Sequence, residues 1–384
     1  MKSMFKKFVA AVMVAATLVT GAVAFTGCSE TNYAANNTTF KIGISSPLTG
    51  GAAVYGQATR NSAQMAIDEI NQAGGLNGVM FELMSYDDKH DTTLVNSGYA
   101  SMYENGMQVS LACTTSAPCL EFANLSAQDN VFFITPSASS DEVTEAGDNS
   151  YQMCFKDGNQ GAVAAAYVNT LGLEKIGIFY KSGDPYSQGI YEQFKDALDK
   201  SITVVEASFL KDEDDFTSQV NTLKDCSFIF MPIYYGPAET FMAMAKGKVA
   251  DNATYYGCDG FDGLDATGVP QQVTMLSHFN SKATDGAAKV FVDKYVAKYG
   301  SETLNQFGAA AYDCVYAIYE AMKAAGDKVS VTMSASDLCE VLKEQFNGGF
   351  TFSGVTGESI RWESDGTVNK QAIAYVIKEA DSAN

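Results

Sequence analysis

Along most of the chain, short unbroken apolar runs alternate with longer stretches in which apolar residues recur every three or four positions. The short runs suit buried strands, and the longer pattern gathers its apolar residues on one side of a helix. The stretch 40–91 shows the unit most clearly. An apolar run at 40–44 leads into a small-residue loop with Pro47, Gly50, Gly51 and Gly56. Ala63, Ala66, Ile67 and Ile70 then stand at i, i+3, i+4 and i+7, one buried helix face. Gly74 and Gly75 supply the left-handed stop. A second apolar run, 79–86, ends at Asp87 and Asp88. This is a β-loop-α-β unit, and its long first loop is where such sheets place ligands.

The alternation continues. Helix 93–103 precedes run 109–112, the loop Cys113-Thr114-Thr115-Ser116-Ala117-Pro118 and a helix to about 127. Strand 131–135 leads to the loop Pro136-Ser137-Ala138-Ser139-Ser140-Asp141-Glu142, and 153–156 begins a crossing. Strands are expected at 175–180, 202–207, 228–231 and 254–257, between helices 161–171, 188–199, 215–223 and 237–246. Residues 273–277 read as another crossing, 284–299, 305–325 and 336–346 as helices. The tail turns to β at 357–362 and 371–378, around Asp365-Gly366. Regular strand-helix alternation predicts an α/β protein with two doubly wound parallel sheets.

The first residues break this pattern. Lys2, Lys6 and Lys7 open the chain, 8–25 is nearly all apolar, and Phe25-Thr26-Gly27-Cys28 closes the segment. A cleaved signal peptide or a membrane anchor both fit such a run. A small residue directly before a Cys resembles the bacterial lipoprotein signal, in which 1–27 is removed and Cys28 is lipidated, with 28–39 as a tether. Phe25 is a less usual residue where that signal prefers Leu. Removing 1–27 takes three lysines and no acids, so the net charge moves from −20 to −23. So acidic a protein is a poor partner for nucleic acid or for a polybasic membrane contact. Besides Cys28, seven cysteines are scattered without Cys-x-x-Cys spacing and are odd in number, which suits small buried hydrophobes better than a disulfide framework.

Three loops follow strands and precede helices, at strand carboxyl ends. In 113–118, hydroxyls cluster before a helix whose free N–H groups attract an anion. In 136–142, Ser139 and Glu142 have capping-box spacing. Plain helix capping would account for both loops. Asp259, in Gly257-Cys258-Asp259-Gly260, either caps the next helix or stands half-buried in a cleft, where its natural partner is an ammonium group. Tyr55, Tyr186 and Tyr234 sit in loops instead of helical stripes; whether Tyr234 or Tyr235 faces a cleft is open. With two histidines, no Gly-x-Ser-x-Gly and no phosphate loop, enzyme chemistry is poorly supplied. The acidic runs 87–91 and 211–215 lack calcium-loop order and read as solvated turns.

The stretch IGISSPLTGGAAVYGQATRNSAQMAIDEINQAGGLNG resembles the start of the periplasmic-binding-protein group, type I, that captures leucine, isoleucine and valine for ABC importers. The carrying features are Pro-Leu-Thr-Gly, then Tyr-Gly, then Ala-Ile-Asp-Glu-Ile-Asn, then Gly-Gly-Leu-Asn-Gly. The resemblance implies two lobes joined by three crossings, 40–156 plus 280–358 and 157–279 plus 359–384. It implies an amino-acid ligand: Thr114 and Ser139 on the carboxylate, Ser137 (through its carbonyl) and Asp259 on the ammonium, Tyr55, Tyr186 and Tyr234 around the side chain. It further implies a monomer outside the cytoplasm with no cofactor, serving a membrane permease and its ATPase subunits. In some members a disulfide joins a position like Cys113 to a Cys where this chain has His90, so that bridge is absent here. An exported α/β enzyme and a sensory domain of the same fold are the alternatives.

Overall fold

The structure, a computed structural model, describes residues 31–211 and 213–381. The expected signal segment 1–27 and Cys28 lie outside the described residues. Two parallel sheets organise the rest. The first holds β1 (Phe40–Ser46), β2 (Phe81–Asp87), β3 (Val109–Cys113), β4 (Phe133–Thr135) and β5 (Ser150–Gln152), in the order β2-β1-β3-β4-β5. The second holds β6 (Lys175–Lys181), β7 (Thr203–Phe209), β8 (Phe228–Met231), β9 (Thr254–Gly257), β10 (Gln272–Ser277) and β11 (Ile373–Lys378), in the order β11-β10-β9-β8-β6-β7. All pairs are parallel except β10 with β11. Both faces of the parallel strands are covered, which is why β3 and β8 are apolar or small throughout and wholly buried.

The first sheet is flanked by α1 (Ala53–Gln72), α2 (Thr92–Glu104) and α3 (Ser116–Asp129). The second is flanked by α4 (Asp157–Asn169), α5 (Pro185–Ala197), α6 (Thr217–Leu223) and α7 (Tyr235–Ala245). Chain from beyond β10 then returns to the first lobe as α8 (Gly286–Tyr299), α9 (Gln306–Ala325) and α10 (Ala335–Asn347), sharing a core with β1, α1 and β3. Helix α9 lies close on α1 because position 308 is glycine; a Cβ there would sit 2.9 Å from Ser62 Oγ and 3.2 Å from the Ala58 carbonyl oxygen. The chain therefore passes between lobes after β5, after β10 and before β11.

Several expectations change. Residues 273–277 belong to β10, an interior strand, and the crossing begins beyond it. Residues 357–362 form only isolated bridges, Phe352 with Ile360 and Trp362 with Val368, where left-handed Ser359 interrupts an extended course. Trp362 packs on Phe346 and donates its indole N–H to the Gln152 carbonyl, which keeps it with the first lobe. Part of the expected tether is anchored: Ala34 is buried, and Asn37 donates to the Gly106 carbonyl at 2.8 Å. The run 87–91 is not simply a solvated turn, since Asp88 is fully buried and accepts from Ser45 Oγ and the His90 N–H, both at 2.9 Å.

Candidate functional site

In each sheet the strand order reverses direction once, between β1 and β3 and between β6 and β8, and ligands bind outside the carboxyl ends at such points. The loops leaving those ends face one another. With the helix starts that follow, they bring Tyr55, Thr114, Ser137, Tyr186, Tyr234 and Asp259 around one cavity, with Thr115, Ser116 and Phe307; Tyr55 and Tyr186 belong to the first turns of α1 and α5, not to loops as expected. Its free volume is ≈ 10 Å³, about the space of one water. A larger groove of ≈ 710 Å³ runs along α9 beside Phe350 and Phe352, away from the strand carboxyl ends. Size alone does not pick the site.

Thr114 is the last residue before α3's N-cap, and its hydroxyl joins a buried triad with Ser46 Oγ at 2.7 Å and Thr59 Oγ1 at 3.0 Å. Thr59 donates to the Gly56 carbonyl, so Thr114 is the donor in its contact with Thr59 while Ser46 can donate to Thr114; an anion would have to take the Thr114 hydrogen over from Thr59. Thr115 does not cap α3; its hydroxyl meets His90 Nδ1 at 2.9 Å. Ser137 lines the cavity on the loop after β4. Ser139 does not. The capping box with Glu142 is also unformed, because Ser140 is the residue before the short 3-10 turn Asp141–Val143 and no side chain caps it.

Asp259 opens a 3-10 turn, Asp259–Phe261, but its carboxylate does not cap it. One oxygen accepts from the Tyr186 hydroxyl at 2.6 Å, and that hydroxyl accepts from the Gly260 N–H at 2.9 Å. Burial pushes the Asp259 carboxyl up to about 6, against the pull of its hydrogen bonds from Tyr186 and Gln160. Tyr55 spans the lobes, donating to the Gly260 carbonyl at 2.5 Å and accepting from the Tyr235 N–H at 3.2 Å. Of the adjacent pair, Tyr234 lines the cavity, while Tyr235 sets its ring edge-on to Tyr55 at 5.1 Å.

Two groups here were not singled out from the sequence. Asp157, the first residue of α4, is buried, and its Oδ2 has no hydrogen-bond partner; neither has Ser139 Oγ. Ser139 still lies close enough to draw the Asp157 carboxyl down, while burial first and then Asp259 hold it well above the usual range. Gln160 ties the two acids together, donating to Asp157 Oδ1 at 3.4 Å and accepting from the Asp259 N–H at 2.9 Å. An acid at a helix start reads as a cap, so nothing local marks Asp157. The second group is His90, whose ring stands edge-on to Tyr234 at 5.4 Å and whose protonation is opposed chiefly by burial. No group of acids, histidines and cysteines suited to a metal occurs among the described residues, and no described helix is long and apolar enough to cross a membrane.

Two doubly wound lobes closing carboxyl-end loops over a small polar-and-aromatic cavity define a protein that encloses a ligand between domains. The chain belongs to the periplasmic binding protein family, whose sequence profile matches residues 39–382. It is 28% identical to the Leu/Ile/Val-binding protein BraC3 of Rhizobium johnstonii, over 79% of this chain and 83% of the relative. It is 27% identical to a leucine-, isoleucine-, valine-, threonine- and alanine-binding protein of Pseudomonas aeruginosa, over 80% and 83%. The fold is similar to LivJ, a branched-chain amino acid transporter substrate-binding protein of Streptococcus pneumoniae solved with isoleucine. That match has a TM-score of 0.78 and 27% identity, covering 88% of this chain and 99% of LivJ.

Proposed function

We propose that the protein is the extracytoplasmic solute-binding component of an ABC importer. It captures a branched-chain or other neutral amino acid between its lobes and hands it to a membrane permease driven by ATPase subunits, with no turnover of its own. The observation that carries this reading is the pairing, across one enclosed cavity, of a buried acid on one lobe with hydroxyls and a helix N-terminus on the other. Asp259 suits an ammonium group; Thr114 and the N–H groups opening α3 suit a carboxylate. Ser137 completes the ammonium end through its carbonyl, and Ser139 serves the carboxylate end if ligand draws its unpartnered hydroxyl forward. Tyr55, Tyr186 and Tyr234 enclose the side chain.

The rotating bodies are 40–156 with 280–358, and 157–279 with 359–384; the packing of Trp362 moves the last hand-over a few residues later. Lipid on Cys28 holds the monomer to the membrane. Thermal melting of residues 29–384 against the twenty amino acids and small carboxylates tests the reading, because a ligand of the closed state raises the melting temperature with its affinity. A rise with leucine, isoleucine or valine is expected. A rise only with carboxylates lacking an ammonium removes Asp259 from its role, and no rise with any compound overturns amino-acid capture.

A further inference from the structure

We infer that His90 couples closure of the two lobes to pH: neutral, its ring is covered by the second lobe as the cleft shuts, and protonated it holds the lobes apart and lets ligand go. The inference concerns the hinge equilibrium, and it rests on the amino-acid reading above only in taking leucine as the probe. His90 stands on the first lobe, in the turn between β2 and α2. Lys89 and His90 both take left-handed backbone, φ 55° and 60°, held by Asp87 and Asp88, which accept from their N–H groups at 3.1 and 2.9 Å. Thr115 Oγ1 meets ring Nδ1 at 2.9 Å, so the imidazole is aimed from its own side. It points across to the second lobe, edge-on to Tyr234 at 5.4 Å, and both rings line a chamber of ≈ 200 Å³ between the lobes.

What surrounds the ring decides what a proton does there. On its own segment, Asp88 is taken up by Ser45 and the His90 N–H, Asp91 by Thr93 at the start of α2, and Lys89 is exposed. The second lobe brings Lys181, Asp184 and Glu213 to the chamber, with Lys211 beyond them. Its tyrosines, Tyr186 and Tyr234, stay neutral because burial raises both. Both carboxylates are already engaged. Asp184 accepts from the Ser187 N–H at 3.1 Å, capping α5, and pairs through its other oxygen with Lys181 at 3.5 Å. Glu213 accepts from Gln219 at 2.7 Å and from the Leu210 N–H at 3.1 Å. An imidazolium shut in here therefore meets two lysines and only committed acids. Burial is the main cause that keeps the ring neutral; Asp184 opposes it, and Lys181 and Lys211 add to it. Separating the lobes returns the ring to water and to its ordinary 6.5. The closed value lies below the open one, so His90 costs closure nothing well above about pH 6.5 and favours the open form increasingly as pH falls below it. Asp259, raised to about 6, takes its proton in the closed empty form and pulls the other way there.

Leucine calorimetry at about pH 8 and about pH 5.5, on the wild type and on His90→Gln, tests this. The amide keeps a partner for Thr115 and takes no proton. The loss of affinity between the two pH values is expected to be at least about threefold smaller in the variant, since proton competition at Asp259 is common to both proteins. Histidine NMR of the wild type is a second measurement that needs no variant. The chain has two histidines, and His278 is held well below the ordinary range by burial, so the signal titrating nearer neutrality is that of His90. Saturating leucine should lower its titration by at least about one pH unit. Equal pH dependence in the two proteins, or a His90 titration that leucine leaves unchanged or raises, overturns the proposal. If no amino acid binds, the amino-acid reading falls separately, and small-angle scattering of the ligand-free proteins tests the coupling. The wild type should then be more extended than His90→Gln at about pH 5.5 and equal to it at about pH 8. Equality at both overturns the coupling as well.

Discussion

In the proposed site, the recognition chemistry is concentrated in one carboxylate, Asp259. Among the described residues it has a tyrosine hydroxyl and no cation beside it, and burial raises it to about 6. An arriving ammonium relieves that cost, so Asp259→Ala should weaken amino-acid binding at least tenfold by calorimetry, roughly 1.4 kcal/mol or more. The pH dependence has a definite sign. The folded value lies above the unfolded 3.8, so the stability this group contributes to the empty protein is fully present below 3.8 and is lost as pH rises through about 6. Ligand binding runs the other way, because a proton on Asp259 competes with the ammonium. Affinity should hold above about pH 6 and fall below it, by up to about tenfold per pH unit, and Asp259→Asn should flatten that profile.

Helices α4 and α5 show how an element sets a side chain. Gly161 of α4 faces α5 so closely that a Cβ would stand 2.7 Å from the Ile190 carbonyl oxygen and 2.8 Å from Gln193 Cβ. Gly161→Val should therefore force the pair apart and destabilise by about 1–3 kcal/mol, read as a lowered melting temperature. Because α4 carries Asp157 and Gln160 while α5 carries Tyr186, ligand affinity should fall with it. Elements such as these were legible from periodicity. Strand β5 was not, since Ser150–Gln152 is too short and polar to make an apolar run and is ordered by its ladder with β4. Tyr234 and Asp259 stand just beyond strand ends, as the sequence implied, but Tyr55 and Tyr186 lie in the first turns of α1 and α5 and not in loops, because each helix starts earlier than its apolar stripe. What no window of sequence contains is juxtaposition, such as His90 against Tyr234 or Asp157 against Asp259. Each pair is made by chain folding back from the other lobe or after four intervening strands, β6 to β9.

At the scale of the molecule, the proposed anchor and the two-lobed body are separable. Cys28→Ser should move the protein from the membrane fraction to the soluble fraction on cell fractionation, while a melting-temperature response to amino acids persists. Any covalent cross-links would have to come from the seven other cysteines, and all seven are free and buried. The body's integrity thus rests on non-covalent contacts.

The triple passage of the chain has a consequence for how the protein is made. Neither lobe is a continuous piece: the first core waits for α9 and α10, and the second sheet is closed only when Ile373 pairs back to Ser277. A growing chain therefore cannot finish one domain before the next emerges, as multidomain proteins commonly do. Nearly the whole length must be synthesised before either half has its full complement of strands and helices. On the proposed extracytoplasmic reading, the chain would stay incompletely folded until late in its synthesis.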